Sequence, residues 1–230
     1  MRMKNAISAA VGLSFLSVQA MAADLNTNED KASYAIGLQT AMGLKRQGLS
    51  EDVIRLDALM AGIKDALEGN DPQISVQEMK TAVNAINQQL KAKAEKVAAD
   101  NLERSKAFLA KNKEKSGVEV TDSGLQYKVL EKGSGKKPSL TDTVKVNYKG
   151  SLIDGTVFDS SYERGKPTEF QLDAGIIKGW KEALQMMPVG SKWRLFLPPQ
   201  LAYGQRGQGN IIGPNLALIF DVELLDIVKK

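Results

Sequence analysis

Glycine and proline are divided unevenly along this chain, and the division limits what each half can form. Six of the seven prolines and fourteen of the twenty glycines lie after residue 116. Residues 23–116 are rich in Ala, Leu, Lys, Glu and Gln, which favour helices. Because glycine and proline interrupt regular elements and supply turns, the sequence predicts a helical N-terminal part and a C-terminal part of strands and turns.

The first 22 residues have the composition of a secretory signal peptide. Arg2 and Lys4 precede a short apolar run from Ala6 to Val18, and Ala20-Met21-Ala22 is an A-x-A cleavage site. We therefore expect export and a mature chain that begins at Ala23. The alternative is an N-terminal membrane anchor, although the apolar run is too short to span a bilayer comfortably.

The chain contains neither cysteine nor histidine. These residue types are needed for a thiol nucleophile, an imidazole base, a disulfide or a His/Cys metal centre, so the sequence predicts no metal and no cofactor. There is also no G-x-S-x-G motif, which disfavours a hydrolase. The formal charge of +4 includes the two cations of the leader and leaves +2 for the mature chain. This small charge gives no reason to expect nucleic acid as a partner.

Three amphipathic helices are predicted in the N-terminal part. The first runs from about residue 29 to 46, with Gly48 just after its end, and the second from about 52 to 67. The third opens with a capping box between Ser75 and Glu78 and continues to about residue 112. Its apolar stripe fades after residue 90, so the second half is expected to be a solvated rigid spacer. A frayed or broken helix is the alternative.

Three short helices bury too little apolar surface to be stable alone. A second copy of the chain would supply the missing surface, and flexible methionine side chains would fill gaps in a shared core. We therefore expect a homodimer. The residues expected in its core are Leu38, Met42, Met60, Ile63 and Met79.

The C-terminal part alternates apolar and polar residues, as half-buried strands do. Val144 and Val146, for example, share one face of a predicted strand. One short helix is expected at about Lys178 to Met186, with Trp180 and Leu184 four residues apart on it. An antiparallel sheet wrapped around one short helix is an α+β arrangement.

Five segments of the C-terminal part occur in an order typical of one family. They are V-N-Y-K-G (146–150), D-G-T-V-F-D-S-S (154–161), G-I-I-K-G-W (175–180), L-A-Y-G (201–204) and L-I-F-D-V-E-L-L (218–225). Together they resemble an FK506-binding-protein (FKBP) domain over about residues 116–230, and that family comprises peptidyl-prolyl cis/trans isomerases. With the signal peptide and the helical N-terminal half, the layout is similar to the bacterial macrophage infectivity potentiator (Mip) group.

The resemblance implies an α+β fold in which an FKBP-like antiparallel sheet wraps around one short helix. It also implies an all-α dimerisation region and a long connecting helix before the sheet, in a V-shaped homodimer. We divide the chain accordingly into a signal peptide (1–22), a helical dimerisation region (23–73), a connecting helix (74–115) and an FKBP-type isomerase domain (116–230).

The resemblance also implies an apolar pocket with a few polar groups, the usual form of a small-molecule site. Four residues are expected to be catalytic: Trp180 as the floor under the proline ring, Phe158 as a wall, Asp159 near the twisting amide, and Tyr203 as a hydroxyl donor to carbonyls. The expected substrate-binding residues are Tyr148, Phe170, Ile176, Ile177, Ile211, Ile212 and Phe220, with the Ile177 backbone N–H as a second donor. Without the resemblance, Trp180, Ile177 and Phe220 read as core residues, Asp159 as a turn former and Tyr203 as a buried tyrosine.

Such a pocket suits the isomerisation of an Xaa-Pro bond, because this reaction breaks no covalent bond and needs no nucleophile. The expected partners are proline-containing unfolded or exported proteins, and macrolides such as rapamycin as inhibitors. Two rim positions depart from the best-known FKBP pattern: Thr168 stands where an aromatic residue is frequent, and Gln208 where a histidine is common. We expect these departures to affect substrate preference and inhibitor affinity more than catalysis.

The first functional hypothesis is a homodimeric prolyl isomerase that assists folding of exported proteins in the periplasm, at the outer membrane by peripheral association, or at the cell surface. The alternative is a dimeric chaperone or surface binding module whose isomerase activity is incidental. The helical arm favours the alternative, since catalysis does not require it. Asp159→Ala or Tyr203→Phe separates the two hypotheses if function is lost while binding and dimerisation persist.

Overall fold

A computed structural model describes residues 24–228 of the chain. The predicted signal peptide, residues 1–22, lies outside the described residues. Contacts divide the chain into two compact units, which meet in sequence between Glu78 and Met79. Each unit is described by itself below.

The N-terminal unit contains helix α1 (Asn28–Arg46), helix α2 (Leu56–Glu68) and the first turn of helix α3 (Val76–Asn112). The end of α1 confirms the predicted role of Gly48, whose φ of +81° places it in the left-handed region. The N–H of Gly48 donates to the carbonyl of Lys45, and the N–H of Leu49 donates to that of Leu44, each at 3.0 Å. These two bonds form a Schellman motif that satisfies the last carbonyls of α1.

Helix α2 begins at Leu56, four residues later than the predicted start at Asp52. The reason is a tight turn that occupies the preceding residues. The carbonyl of Ser50 accepts hydrogen bonds from the N–H groups of Val53 and Ile54 at 2.8 and 2.9 Å. The hydroxyl of Ser50 also donates to the carboxylate of Asp52. Ser and Asp often form such local bonds in competition with the helix.

Neither α1 nor α2 has a buried residue in the described single chain. The apolar side chains expected in the dimer core remain accessible: Leu38 is 43% exposed, Met42 54%, Met60 59% and Ile63 36%, and Met79 is partly buried. Large apolar side chains left exposed in such numbers usually mark an interaction site.

Helix α3 is a single helix of 37 residues. Its start is the predicted capping box: the N–H of Ser75 donates to the Glu78 carboxylate at 2.8 Å, and the N–H of Glu78 donates to the Ser75 hydroxyl at 3.2 Å. Because the helix is continuous from Val76 to Asn112, the alternative of a broken helix is wrong. Neither α3 nor any other described helix combines the length and the apolar character needed to cross a bilayer.

The expectation that the second half of α3 is a solvated spacer is also wrong. Ser105 and Asn112 are fully buried, and the ring of Phe108 lies 6.1 Å from that of Phe196 in the sheet. The apolar stripe fades because the docked face mixes apolar side chains with polar ones that make hydrogen bonds, such as Asn101, Ser105 and Asn112. From Met79 onward, α3 belongs to the same compact unit as the sheet.

The C-terminal unit contains one antiparallel sheet of seven strands. The strands are β1 (Val118–Val120), β2 (Gln126–Glu131), β3 (Thr143–Leu152), β4 (Val157–Ser160), β5 (Thr168–Gln171), β6 (Lys192–Leu197) and β7 (Leu218–Val228). Their order is β1-β2-β6-β7-β3-β4, and β5 pairs with another stretch of β3.

Helix α4 (Lys178–Met186) has the predicted bounds and supplies the layer against which the sheet packs. Trp180, Ala183 and Leu184 on α4 are buried in one core with Val144 and Val146 of β3. The α+β architecture predicted from the sequence is confirmed. The same packing places the side chains of α4, β3 and β7 around one cavity.

Candidate functional site

A cavity of about 690 Å³ lies in the C-terminal unit, bounded by α4, β3, β4, β5, β7 and the loop around residues 202–212. Its volume is typical of small-molecule sites. All eleven residues predicted for the pocket line it: Tyr148, Phe158, Asp159, Phe170, Ile176, Ile177, Trp180, Tyr203, Ile211, Ile212 and Phe220. The fold therefore brings together side chains that are up to 72 residues apart in sequence.

The indole of Trp180 forms the base of an aromatic cluster. Three rings meet it edge to face, with centroid distances of 5.1 Å to Tyr148, 5.4 Å to Phe170 and 5.2 Å to Phe220. Edge-to-face contacts at these distances are favourable beyond the area they bury. Trp180 is only 4% exposed, and its ring N–H has no acceptor among the described residues. The base of the cavity is thus a well-fixed aromatic surface with one buried N–H that lacks an acceptor in residues 24–228.

One wall of the cavity depends on a glycine. Gly150 of β3 pairs with Phe220 of β7, and the rings of Phe158 and Phe220 meet beside it at 5.5 Å. A Cβ atom at Gly150 would lie 2.6 Å from the Phe158 ring and 2.8 Å from the Phe220 ring. The close approach of these two rings therefore requires glycine at this position.

A polar cluster occupies the rim, centred on Asp159. Its carboxylate accepts a hydrogen bond from the Tyr148 hydroxyl at 2.5 Å and another from the guanidinium of Arg164. Arg164 also donates to the Tyr148 hydroxyl oxygen at 2.8 Å and to the Thr168 hydroxyl oxygen at 3.2 Å. Thr168, the rim position noted in the sequence, is therefore joined to the carboxylate through Arg164.

The cluster stabilises the charged form of Asp159. Burial alone would raise the pKa of this carboxyl, but the hydrogen bonds from Tyr148 and Arg164 and the charge of the guanidinium outweigh it and hold the pKa below its usual value. For Tyr148, burial and the hydrogen bond to Asp159 raise the pKa. At neutral pH, the rim carries an ionised carboxylate and a neutral phenol.

Two hydrogen-bond donors border the cavity without a described partner. The hydroxyl of Tyr203 has no hydrogen bond to the described residues, and burial raises the pKa of this phenol so that it keeps its proton. The backbone N–H of Ile177 lies at the residue that precedes α4, in an extended conformation (φ −66°, ψ 149°), and is likewise without an acceptor in residues 24–228. Free N–H groups at a helix start carry partial positive charge.

The last wall is a narrow loop. Gln208 and Ile212 exchange two backbone hydrogen bonds, of 2.7 and 3.2 Å. Gly207 has a φ of +64°, and a Cβ atom there would lie 2.2 Å from the carbonyl oxygen of Ile212. Ile212 is buried, while Ile211 is about half exposed at the mouth of the cavity.

Comparison with known proteins bears on what such a cavity does. Residues 134–225 match the family described as "FKBP-type peptidyl-prolyl cis-trans isomerase", and residues 29–129 match the "Domain amino terminal to FKBP-type peptidyl-prolyl isomerase". The "Outer membrane protein MIP" of Legionella longbeachae is 43% identical over 235 residues, which cover 100% of this chain and 99% of that protein. The chain belongs to the FKBP-type peptidyl-prolyl cis–trans isomerases.

Two further comparisons agree with this assignment. The "FKBP-type 22 kDa peptidyl-prolyl cis-trans isomerase" of Escherichia coli K12 is 46% identical, over 88% of this chain and 97% of the relative. The crystal structure of FkpA from Escherichia coli superposes with a TM-score of 0.65 at 40% identity, and the match covers 89% of this chain and 98% of that one. Fold and enzyme class are thus the same as those predicted from the sequence.

Two residues of the isomerase cavity region were missed by the sequence reasoning. Arg164 was not predicted as a site residue, because no local pattern distinguishes it from other exposed arginines. Gly150 is the last residue of the V-N-Y-K-G segment. Glycine is required there only because two rings, from β4 and β7, pack against this position. Both roles follow from tertiary contacts.

The isomerase has a second cavity, of about 440 Å³, on the other face of the sheet. Lys149 of β3 lines it, whereas the adjacent Tyr148 lines the first cavity, as expected from the alternation of side chains along a strand. None of the eleven predicted pocket residues borders it. Across residues 24–228, no three His, Cys, Asp or Glu side chains are grouped so that they could hold a metal ion.

Proposed function

We propose that this isomerase accelerates Xaa-Pro rotation by stabilising the twisted amide in the cavity above Trp180, without forming any covalent bond to the substrate. The observation that carries the proposal is the ionised carboxylate of Asp159 at the rim of an otherwise aromatic cavity. A planar amide is stabilised by resonance that places negative charge on its oxygen. Apolar surroundings and a nearby fixed negative charge both disfavour that charge-separated form relative to the twisted one.

Each lining group has a role in this mechanism. The proline ring packs on Trp180, and Phe158 and Phe220 enclose it and exclude water. The Tyr203 hydroxyl and the Ile177 N–H donate to substrate carbonyls in the twisted geometry. Only interactions that are stronger in the twisted state than in the planar state accelerate the reaction.

Tyr203→Phe should lower kcat/KM for a short Xaa-Pro peptide by about three- to tenfold, as expected for the loss of one hydrogen bond. The measurement is the cis-to-trans rate with the mature wild-type protein and the variant side by side. Tyr127→Phe is the matched control, because its hydroxyl donates to Glu119 at 2.5 Å, outside the cavity. An equal loss in both variants, or none in Tyr203→Phe, would contradict the assigned role. No acceleration by the wild type would refute the proposed function itself.

The pH dependence follows from the lowered pKa of Asp159. Because the folded pKa is below the unfolded value, the carboxylate is charged at neutral pH, and its stabilising bonds are lost only as pH falls through the folded pKa. The peptide rate should therefore be flat from about pH 5 to 8 and decline below the usual Asp value of about 3.9. Arg164→Gln should move this acid limb to higher pH, and an unmoved limb would argue against ionised Asp159 as the group responsible.

We also propose that the isomerase is an exported homodimer that acts on proline-containing unfolded proteins, and that macrolides such as rapamycin compete for the same cavity. Support for the dimer is the apolar surface of α1 and α2, which a single chain leaves exposed. Support for export is the leader-like sequence of residues 1–22, together with the outer-membrane name of the Legionella relative. Peripheral contact with the outer membrane fits the same name.

A dimeric chaperone or surface binding module is the second candidate function. This candidate is favoured by the large apolar side chains that are exposed on the N-terminal unit, such as Ile36 and Leu67. The two functions are separated by measuring how well the protein suppresses aggregation of an unfolded client protein. The client is chosen so that proline isomerisation does not limit its folding. Full suppression by Asp159→Ala would support the binding module, and no suppression by the wild type would refute it.

A further inference from the structure

We propose that the second half of α3 is a positioning element of the isomerase site, in which Ser105 and Asn101 hold the loop that carries Ile211 and Ile212. This inference rests on the proposed function, since it takes the cavity above Trp180 as the place of reaction. It assigns a role in substrate binding to a helix that touches no substrate.

Ser105 is the central contact between the helix and the loop. Its hydroxyl donates to the carbonyl oxygen of Asn215 at 2.9 Å and accepts from the N–H of Ala217 at 2.8 Å. Both Ser105 and Ala217 are completely buried. One hydroxyl therefore satisfies a buried donor and an acceptor on either side of Leu216, which fixes the path of the chain as it enters β7.

Two more hydrogen bonds join the same helix face to the same segment. The side-chain amide of Asn101 donates to the carbonyl of Pro214 at 2.9 Å, and that of Asn215 donates to the carbonyl of Ala98 at 3.1 Å. Ala98, Asn101 and Ser105 are spaced by three and four residues, so they share one face of α3. Asn215 has a φ of +56°, a conformation that asparagine tolerates better than most residues.

The clamped segment is continuous with the cavity wall. Ile212 lies only two residues before Pro214, and the N–H of Asn215 donates to the carbonyl of Gly204, next to Tyr203, at 2.8 Å. In the described chain, the hydrogen bonds that residues 208–217 make outside their own loop go to α3 and to Gly204. Most of the external support of this wall therefore comes from the helix.

The expected effect is on substrate binding more than on the twisting step. Ile211 and Ile212 supply apolar contact area, which the planar and twisted substrates share, whereas the carboxylate of Asp159 comes from a separate element, β4. Loss of contacts that both states share raises KM and leaves kcat nearly unchanged. Ser105 and Asn101 are accordingly positioning residues, not catalytic ones.

The test compares full-length mature wild type with Ser105→Ala and Asn101→Ala, using a short Xaa-Pro peptide. We expect KM to rise by about five- to tenfold in Ser105→Ala, with kcat within about twofold. The amides of Ile212 and Ala217 should also exchange with solvent at least about tenfold faster, with little change in strands β2 and β6. Leu224→Val is the control, because Leu224 is fully buried in the core and does not line the cavity.

Folded Ser105→Ala with wild-type KM and wild-type amide exchange would overturn the proposal. So would an equal rise in KM in Leu224→Val at a similar loss of thermal stability, because the effect would then reflect stability alone. If Ser105→Ala does not fold, Asn101→Ala decides by the same criteria, since its side chain is only partly buried. Amide exchange reports on the loop even if the wild type proves inactive, so failure of this inference is distinguishable from failure of the proposed function.

Discussion

Replacing Asp159 by alanine should lower kcat/KM for a short Xaa-Pro peptide by about a hundredfold, the lower end of the range seen when a placed electrostatic group is removed from a site. The loss has two parts. The fixed charge near the amide disappears, and Tyr148 and Arg164 lose the acceptor that orients them. The measurement is the cis-to-trans rate over a range of peptide concentrations, so that kcat and KM are separated.

Two matched variants make this result specific. Asp159→Asn keeps the size of the side chain and one acceptor oxygen but removes the charge, so its activity should lie between those of the wild type and Asp159→Ala. Asp173→Ala removes an exposed carboxylate that does not border the cavity and should leave the rate unchanged. Wild-type kinetics in Asp159→Ala, with the protein folded, would refute a part for this carboxylate in the reaction.

The sequence was sufficient to predict several of the regular elements after residue 116, including β3 and α4. Alternation of apolar residues marked β3, and the four-residue spacing of Trp180 and Leu184 marked α4 with its observed bounds. These patterns succeed because the elements bury apolar side chains on one face. The residues of the pocket came from motifs of a family, and periodicity alone would have placed Trp180, Ile177 and Phe220 in the core.

The docked half of α3 could not be predicted in the same way. Its buried face includes Asn101, Ser105 and Asn112, which a search for apolar periodicity counts as solvent-facing. The amide of Asn112 donates to the side chain of Gln126 at 2.9 Å, so its burial is stabilised by hydrogen bonds. Phe196 lies on the otherwise polar face of β6, and it is buried because the ring of Phe108 on α3 packs against it. Polar docking of this kind depends on the partner surface, which the helix sequence does not contain.

Similar reasoning applies to the rim of the cavity. Arg164 reaches Asp159 because β4 and the following turn bring residues five apart in sequence together. Neither residue type nor spacing distinguishes that pair from an ordinary exposed ion pair, and such pairs contribute little in water. Its importance comes from the neighbouring Tyr148 hydroxyl, which shares both partners at the edge of an apolar cavity.

Met42→Glu should convert a dimer of the mature chain into a monomer at micromolar concentration. Met42 lies on the face of α1 that also carries Leu38, and both side chains are exposed in the single chain although they are apolar. If a second copy covers this face, glutamate would place an unpaired charge in an apolar interface, which costs several kcal/mol and weakens association by at least about a hundredfold. Sedimentation equilibrium would show the molecular mass falling by half.

Thr40→Glu is the control for added charge on the same helix, because Thr40 lies about 200° around the axis from Leu38. It should remain dimeric, and a monomeric wild type at the same concentration would refute the shared core. Peptide isomerisation should be nearly the same in Met42→Glu as in the wild type, since every residue that lines the cavity belongs to the C-terminal unit. A loss of activity on unfolded proteins with peptide activity intact would then assign the N-terminal helices to client binding and the cavity to the reaction.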